Sequence, residues 1–228
     1  PHMVRRRRTV LALLLGLLCT ALTVALPLPV AERLGLGVRS LHAAPQPTAS
    51  AGPTREVVIL YTNDFHSALD PIAAYWLPSQ PRMGGAAALA GYVNRFRAAN
   101  DTTFLFDAGD MFTGVVSHLT GGEALMEMMR AMRYDAMAIG NHEFDYGAPA
   151  FERQMARVPM PVLGANIFYK GTRHRYSRPY VILERNDVRV AVLGVIGADA
   201  RSAVLPEGIA ELDFDEPAAA LADRKSVV

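Results

Sequence analysis

The sequence predicts an α/β domain built on a parallel or mixed sheet. Two observations carry that reading. Short β-branched and apolar runs alternate with segments of helical period along most of the chain, and three of the strand-like runs end in clusters of Asn, Asp, His and Gly. A hydrophobic content of 51% over 228 residues is enough to bury the core that such a layered domain needs.

The first strand is Glu56–Thr62, an apolar and β-branched run. Residues 84–99 follow as a helix, with Leu89, Tyr92, Val93 and Phe96 at helical spacing. Thr102–Phe106 is the second strand. Glu123–Arg133 is a helix that sets Leu125, Met128, Met129 and Met132 on one face, where methionine serves packing. Asp135–Ile139 is the third strand. Pro149 suits the first turn of a helix running to about Arg157. Val162–Ala165 is the fourth strand. Tyr180–Glu184 and Val188–Val195 flank Asn186-Asp187 and form a hairpin. Trp76, in a proline-rich stretch, is expected to be a packed loop anchor.

The chain ahead of residue 56 has a different composition. Arg5–Arg8 precede an apolar run from Val10 to about Leu26, and Pro, Gly and Ala follow. A positive block, an apolar stretch and a small-residue tail are the parts of an export signal, with an uncleaved anchor as the rival reading. Cleavage would fall after Ala25, Ala43 or Ala44. The arginine block reads as a Sec n-region, although Arg7-Arg8-Thr9-Val10-Leu11 is loosely similar to a twin-arginine signal. Residues 1–44 are thus the export segment, 45–55 a Pro/Ala/Ser linker and 56–228 the folded domain. The expected location is periplasmic, cell-surface or secreted, with membrane contact only through the export segment. The single cysteine, Cys19, excludes an intramolecular disulfide and a Cys-based zinc site. A net charge of +1, from 23 basic and 22 acidic residues, excludes a dedicated nucleic-acid binder.

The three polar clusters are Asn63-Asp64-Phe65-His66, Asp107-Ala108-Gly109-Asp110 and Gly140-Asn141-His142-Glu143-Phe144-Asp145. Carboxyl ends of strands form the ligand crevice of α/β sheets, so clusters distant in sequence can converge there. Asp64 and His66 stand two apart and can share a face. The Asp110 carboxylate can bridge two ions, and Asn141 offers a neutral amide oxygen. Mixed oxygen and nitrogen donors suit Zn²⁺, Mn²⁺ or Fe²⁺. Two such ions, about 3.5–4 Å apart, can activate water and clamp phosphate oxygens. Asp64 and Asp110 leave a surplus of positive charge, which favours an anionic substrate. His142 need not bind metal. Asp145, three residues on, can accept a hydrogen bond from it and favour the protonated imidazole, suited to a charged phosphoryl group or a leaving oxygen. Asp107 could ligate directly, support a ligand or shape the turn. His118 and His174 read as surface residues.

TNDFH, GD and GNHEFDYG together resemble the leading motifs of calcineurin-like metallophosphoesterases. ILYTNDFHS, GGAAALAGYVN, YDAMAIGNHEFDYG and VLGANIF are similar to the secreted 5′-nucleotidase branch of that family. The resemblance covers about residues 56–220. It implies a four-layer αββα sandwich, incomplete at the C-terminus. It implies that Asp64, His66, Asp110 and Asn141 are metal ligands, with Asp110 bridging, and that His142 and Asp145 are the catalytic dyad. The implied cofactors are two divalent ions (Zn, Mn, Fe or Co), and the implied partner is a small phosphorylated substrate such as a nucleotide. Hydrolysis of 2′,3′-cyclic nucleotides, UDP-sugars or a thiosulfate ester are alternatives within the family. The family also draws metal-binding histidines and a substrate-binding domain from later sequence. On this resemblance the chain is expected to be an N-terminal part with little phosphatase activity of its own, and a catalytically inactive secreted fragment is the rival from another class.

Overall fold

The computed structural model describes residues 9–13 and 54–224. Most of the export segment, Cys19, the candidate cleavage positions and nearly all of the linker lie outside the described residues. Eleven strands are described: β1 Thr9–Leu13, β2 Val58–Thr62, β3 Ile72–Ala73, β4 Arg82–Met83, β5 Thr103–Asp107, β6 Ala136–Ala138, β7 Val162–Leu163, β8 Ile167–Tyr169, β9 Tyr180–Arg185, β10 Val188–Leu193 and β11 Leu212–Phe214. The helices are α1 Ala86–Ala99, α2 Val115–Thr120, α3 Glu123–Ala131, α4 Ala148–Met155, α5 Ala200–Ala203 and α6 Pro217–Arg224. Single 3₁₀ turns cover His142–Phe144 and Pro206–Ile209. Among the described residues, no helix is long and apolar enough to cross a membrane.

Strands β2, β5, β6 and β7 form a parallel sheet in the order β2-β5-β6-β7. The sequence of β5, TFLFD, is buried at every position, as a central parallel strand requires. Its period of two divides two cores. Phe104 and Phe106 join Leu163, Val188, Val190 and Val192 between this sheet and the antiparallel hairpin β9–β10. Leu105 joins Val93 of α1, Leu125 and Met129 of α3, and Phe151 of α4 on the opposite face. Helices, sheet and second sheet are therefore stacked as the α/β sandwich requires. Strand β1 runs parallel to β10 on the side away from β9. The hairpin turn falls at Asn186 and Asp187, with φ of 51° and 60°, the left-handed pair that a two-residue turn demands.

Some side chains lie elsewhere than their spacing suggests. On α1, Val93 is buried and Leu89 packs partly against the core, but Tyr92 and Phe96 are exposed. The sheet covers one side of α1, and these two lie on its flank. On α3, Met126 takes a fully buried place and Met128 a partial one. Trp76 is no packed anchor: it is 68% exposed. Ala74 holds the buried position instead, donating its N–H to Pro81 O, and the turn closed by Leu77 N–H to Ala74 O swings the indole outward.

Candidate metal and phosphoester site

The register of the parallel sheet brings the three clusters to one edge. Thr62 is level with Asp107 across β2 and β5, and Asp107 is level with Met137 across β5 and β6. The loops leaving these strands then bond to each other. Asp64 N–H donates to Gly109 O at 3.1 Å, and His66 N–H reaches Asp110 O at 3.5 Å. His142 N–H donates to Asp110 Oδ1 at 3.0 Å. The approach is so close that side chains are excluded at two positions. A Cβ on Gly109, whose φ is 101°, would stand 2.5 Å from Gly140 N, and one on Gly140 would stand 2.3 Å from Asp110 Oδ1.

His66, Asp110 and His142 each present a ligand atom within 4.8 Å of the other two. His66 Nε2 lies 3.6 Å from Asp64 Oδ1, and Asn63 Nδ2 donates to Asp64 Oδ2. The His66 and His142 rings meet edge to face, with centroids 4.8 Å apart. His142 Nδ1 lies 3.0 and 3.1 Å from the two Asp145 oxygens. That contact fixes the ring and leaves Nε2 as the nitrogen available to a substrate. Asn141 heads the 3₁₀ turn and adjoins His142. The structure thus brings Asp64, His66, Asp110, His142 and Asp145 together, and sets the Asn141 backbone beside them. The His66 imidazole with the Asp64 and Asp110 carboxylates is a mixed nitrogen and oxygen donor set that fits Zn²⁺, Mn²⁺, Fe²⁺ or Co²⁺.

Backbone strain concentrates here. Asp64, His66, Ser67 and Asp110 have φ of 51°, 47°, 59° and 59°, the left-handed region that costs a non-glycine residue energy.

Asp107 is the last residue of β5, fully buried. It accepts from Thr62 Oγ1 at 2.6 Å and Gly109 N–H at 2.9 Å, and Thr62 Oγ1 in turn meets Tyr134 OH at 2.9 Å. Burial is the main cause that pushes the Asp107 carboxyl up to about 8, and burial likewise raises Tyr134 to about 12. His118 and His174 are exposed; the first neighbours the Tyr146 ring and the second stacks on Tyr169.

Glu143 is the residue whose part the sequence alone does not disclose. It is 1% exposed and accepts three backbone hydrogen bonds: Oε2 from Gly140 N–H at 2.7 Å and Asp110 N–H at 3.0 Å, Oε1 from Met111 N–H at 2.8 Å. Burial pushes its carboxyl up to about 7 against these donors, which favour the charged form.

The fold has counterparts among solved structures. The chain superposes on the calcineurin-like phosphoesterase YfkN of Bacillus subtilis with a TM-score of 0.64 at 21% identity, over 75% of this chain and 57% of that one. Its fold is that of the calcineurin-like phosphoesterases. The sequence comparisons are narrower. The chain is 32% identical over 169 residues to Protein UshA of Escherichia coli, covering 72% of this chain and 30% of that protein. It is 34% identical over 179 residues to the 5′-nucleotidase of Vibrio cholerae, covering 76% and 31%. The 5′-nucleotidase precursor of Thermus thermophilus superposes with a TM-score of 0.64 at 28% identity, over 73% of this chain and 33% of that one. No family model matches. The chain is homologous to proteins named UshA and 5′-nucleotidase and shares the fold of a calcineurin-like phosphoesterase, and it spans about a third of the length of the curated relatives it matches.

Proposed function

We propose that these strand-end loops form a divalent metal site for hydrolysis of phosphate esters, with a nucleotide 5′-phosphate as the substrate class. The observation that carries the reading is the His142–Asp145 pair held beside Asp110 and His66 at one sheet edge. In this reading Asp64, His66, Asp110 and Asn141 hold two ions, and Asp110 is shared. Divalent ions in such a site supply activation of water and neutralisation of phosphoryl charge. The chain's own residues do the rest. Asp145 holds His142 Nδ1, so that Nε2 faces the substrate and can donate a proton to the developing charge or the leaving oxygen. Asp110 is aimed by the His142 N–H. We place the protein outside the cytoplasm, on the strength of the arginine block and apolar run at residues 5–26.

A second reading is ion binding without turnover. It is favoured by the thinness of the ligand cluster, which among the described residues counts three His or acidic members. A single assay separates the two. The full chain is incubated with AMP or p-nitrophenyl phosphate and Mn²⁺, Co²⁺ or Zn²⁺, with EDTA as control. Phosphate release that needs both the metal and Asp110 supports the phosphoesterase, and His142→Asn should then lower turnover while metal content stays nearly unchanged. Release that survives EDTA or Asp110→Asn overturns the proposal. Metal uptake with no release selects the second reading.

A further inference from the structure

We infer that Glu143 is a positioning residue whose carboxylate sets the spacing between the two halves of the metal site, an inference that rests on the metal-site reading above. The geometry is reciprocal. Glu143, from the loop after β6, holds the backbone of the loop after β5 through the N–H groups of Asp110 and Met111. Asp110, from the loop after β5, holds the backbone of the loop after β6 through the N–H of His142. Each loop thus carries one carboxylate that is spent on the other. Oε2 of Glu143 ties them at a single atom, because it accepts from both Gly140 and Asp110.

The chemistry of this place admits only glutamate. Three converging N–H donors need acceptors at both terminal atoms of the side chain, and a carboxylate has two acceptor oxygens. Glutamine offers one oxygen and sets its NH₂ against an N–H donor. Aspartate keeps the charge but is one methylene shorter, so its oxygens would draw back from the Asp110 and Met111 N–H groups that Glu143 meets at 3.0 and 2.8 Å. A side chain that fixes the orientation of ligands typically changes metal affinity by about 10–100-fold when it is lost.

The test uses the full chain and Mn²⁺ alone as probe. Calorimetric titration of wild type, Asp110→Asn, Glu143→Gln and Glu143→Asp is paired with amide hydrogen exchange. Asn166→Ala serves as a control, because it removes a buried backbone brace whose bonds go to Ile196 and Asp215. We expect Mn²⁺ affinity about 10–100-fold weaker in both Glu143 variants and within about twofold of wild type in Asn166→Ala. The Asp110, Met111 and Gly140 amides should exchange slowly in the wild type and quickly in Glu143→Gln. If the wild type binds Mn²⁺ and Asp110→Asn does not, the metal-site reading stands, and unchanged affinity in folded Glu143 variants overturns the inference about Glu143. If Asp110→Asn binds like the wild type, the metal-site reading is what fails, and the inference falls with it as stated. Should the Glu143 variants not fold, exchange in the wild type decides: fast exchange at the three amides overturns the brace, and slow exchange supports it.

Discussion

Glu143 and Asn166 are both buried polar side chains that hold loop backbones together, and they do so with opposite chemistry. Asn166 donates from Nδ2 to Ile196 O and Asp215 O and accepts at Oδ1 from Ile196 N–H. Two carbonyls and one N–H are what an amide matches. Glu143 meets three N–H groups and no carbonyl, which only a carboxylate matches. The difference extends to the surroundings. At the site edge, Asp107 takes Gly109 N–H, Asp110 takes His142 N–H and Glu143 takes three more. The parallel strand ends leave N–H donors facing inward, and acidic side chains satisfy them. Glu143 is engaged wholly in holding loops, and Asp107 also takes the Thr62 hydroxyl of β2. Asp110 alone of the three also lies among candidate ligands. Bracing around Asn166 uses an amide for carbonyls and an N–H, whereas bracing at the site uses carboxyl groups for N–H donors.

The contrast can be broken most severely at Gly109. Gly109→Ala combines a left-handed φ with a Cβ driven into Gly140 N, and we expect it to cost about 3 kcal/mol or more. Urea unfolding measures this, and Mn²⁺ affinity should fall with it because both loops move. Asn166→Ala should lower stability by a comparable amount, about 3 kcal/mol, since it leaves three backbone groups of Ile196 and Asp215 without their partner, at the lower end of about 1–3 kcal/mol each. It sharpens the comparison if stability falls while metal affinity does not.

The third test changes pH. The Asp107 carboxyl sits at about 8 in the fold against an ordinary value of 3.8, because burial penalises its charge. The folded state therefore keeps a proton that the unfolded chain releases. This contribution to stability is complete below about pH 4 and declines as pH rises towards 8, by at most about 1.4 kcal/mol per pH unit. Asp107→Asn imitates the neutral acid and should flatten that slope. Urea midpoints of the two proteins at pH 5, 6, 7 and 8 should converge at the acid end and part at the alkaline end. Parallel pH profiles would show that Asp107 is ionised in the fold.

Much of this was legible in the sequence, for local reasons. The buried run of β5 and the Asn186-Asp187 turn follow from residue type and spacing. So do the polar clusters that hold Asp64, His66, Asp110, Asn141, His142 and Asp145, because each directly follows a strand. What was not legible depends on distant partners. Glu143 answers to backbone groups 32 and 33 residues away, which no spacing within its own cluster indicates. Asp107 and Thr62 stand 45 apart and meet only through the register of β2 with β5. Left-handed backbone at Asn186, Asp187 and His66 suits those residue types, but Ser67 has no such preference, and the packed loops hold it there. Trp76, Tyr92 and Phe96 mislead in the opposite way: their size suggests burial, but burial needs a surface opposite.

Everything proposed for this molecule depends on one edge of the parallel sheet being a divalent metal site organised around Asp110. Calorimetric titration of the full chain with Mn²⁺, wild type beside Asp110→Asn, with folding checked by circular dichroism, puts that dependence to the proof. Saturable binding is expected in the wild type, with a loss of about 100-fold or more in the variant, more than an outer brace would cost. Equal affinity in two equally folded proteins would contradict it.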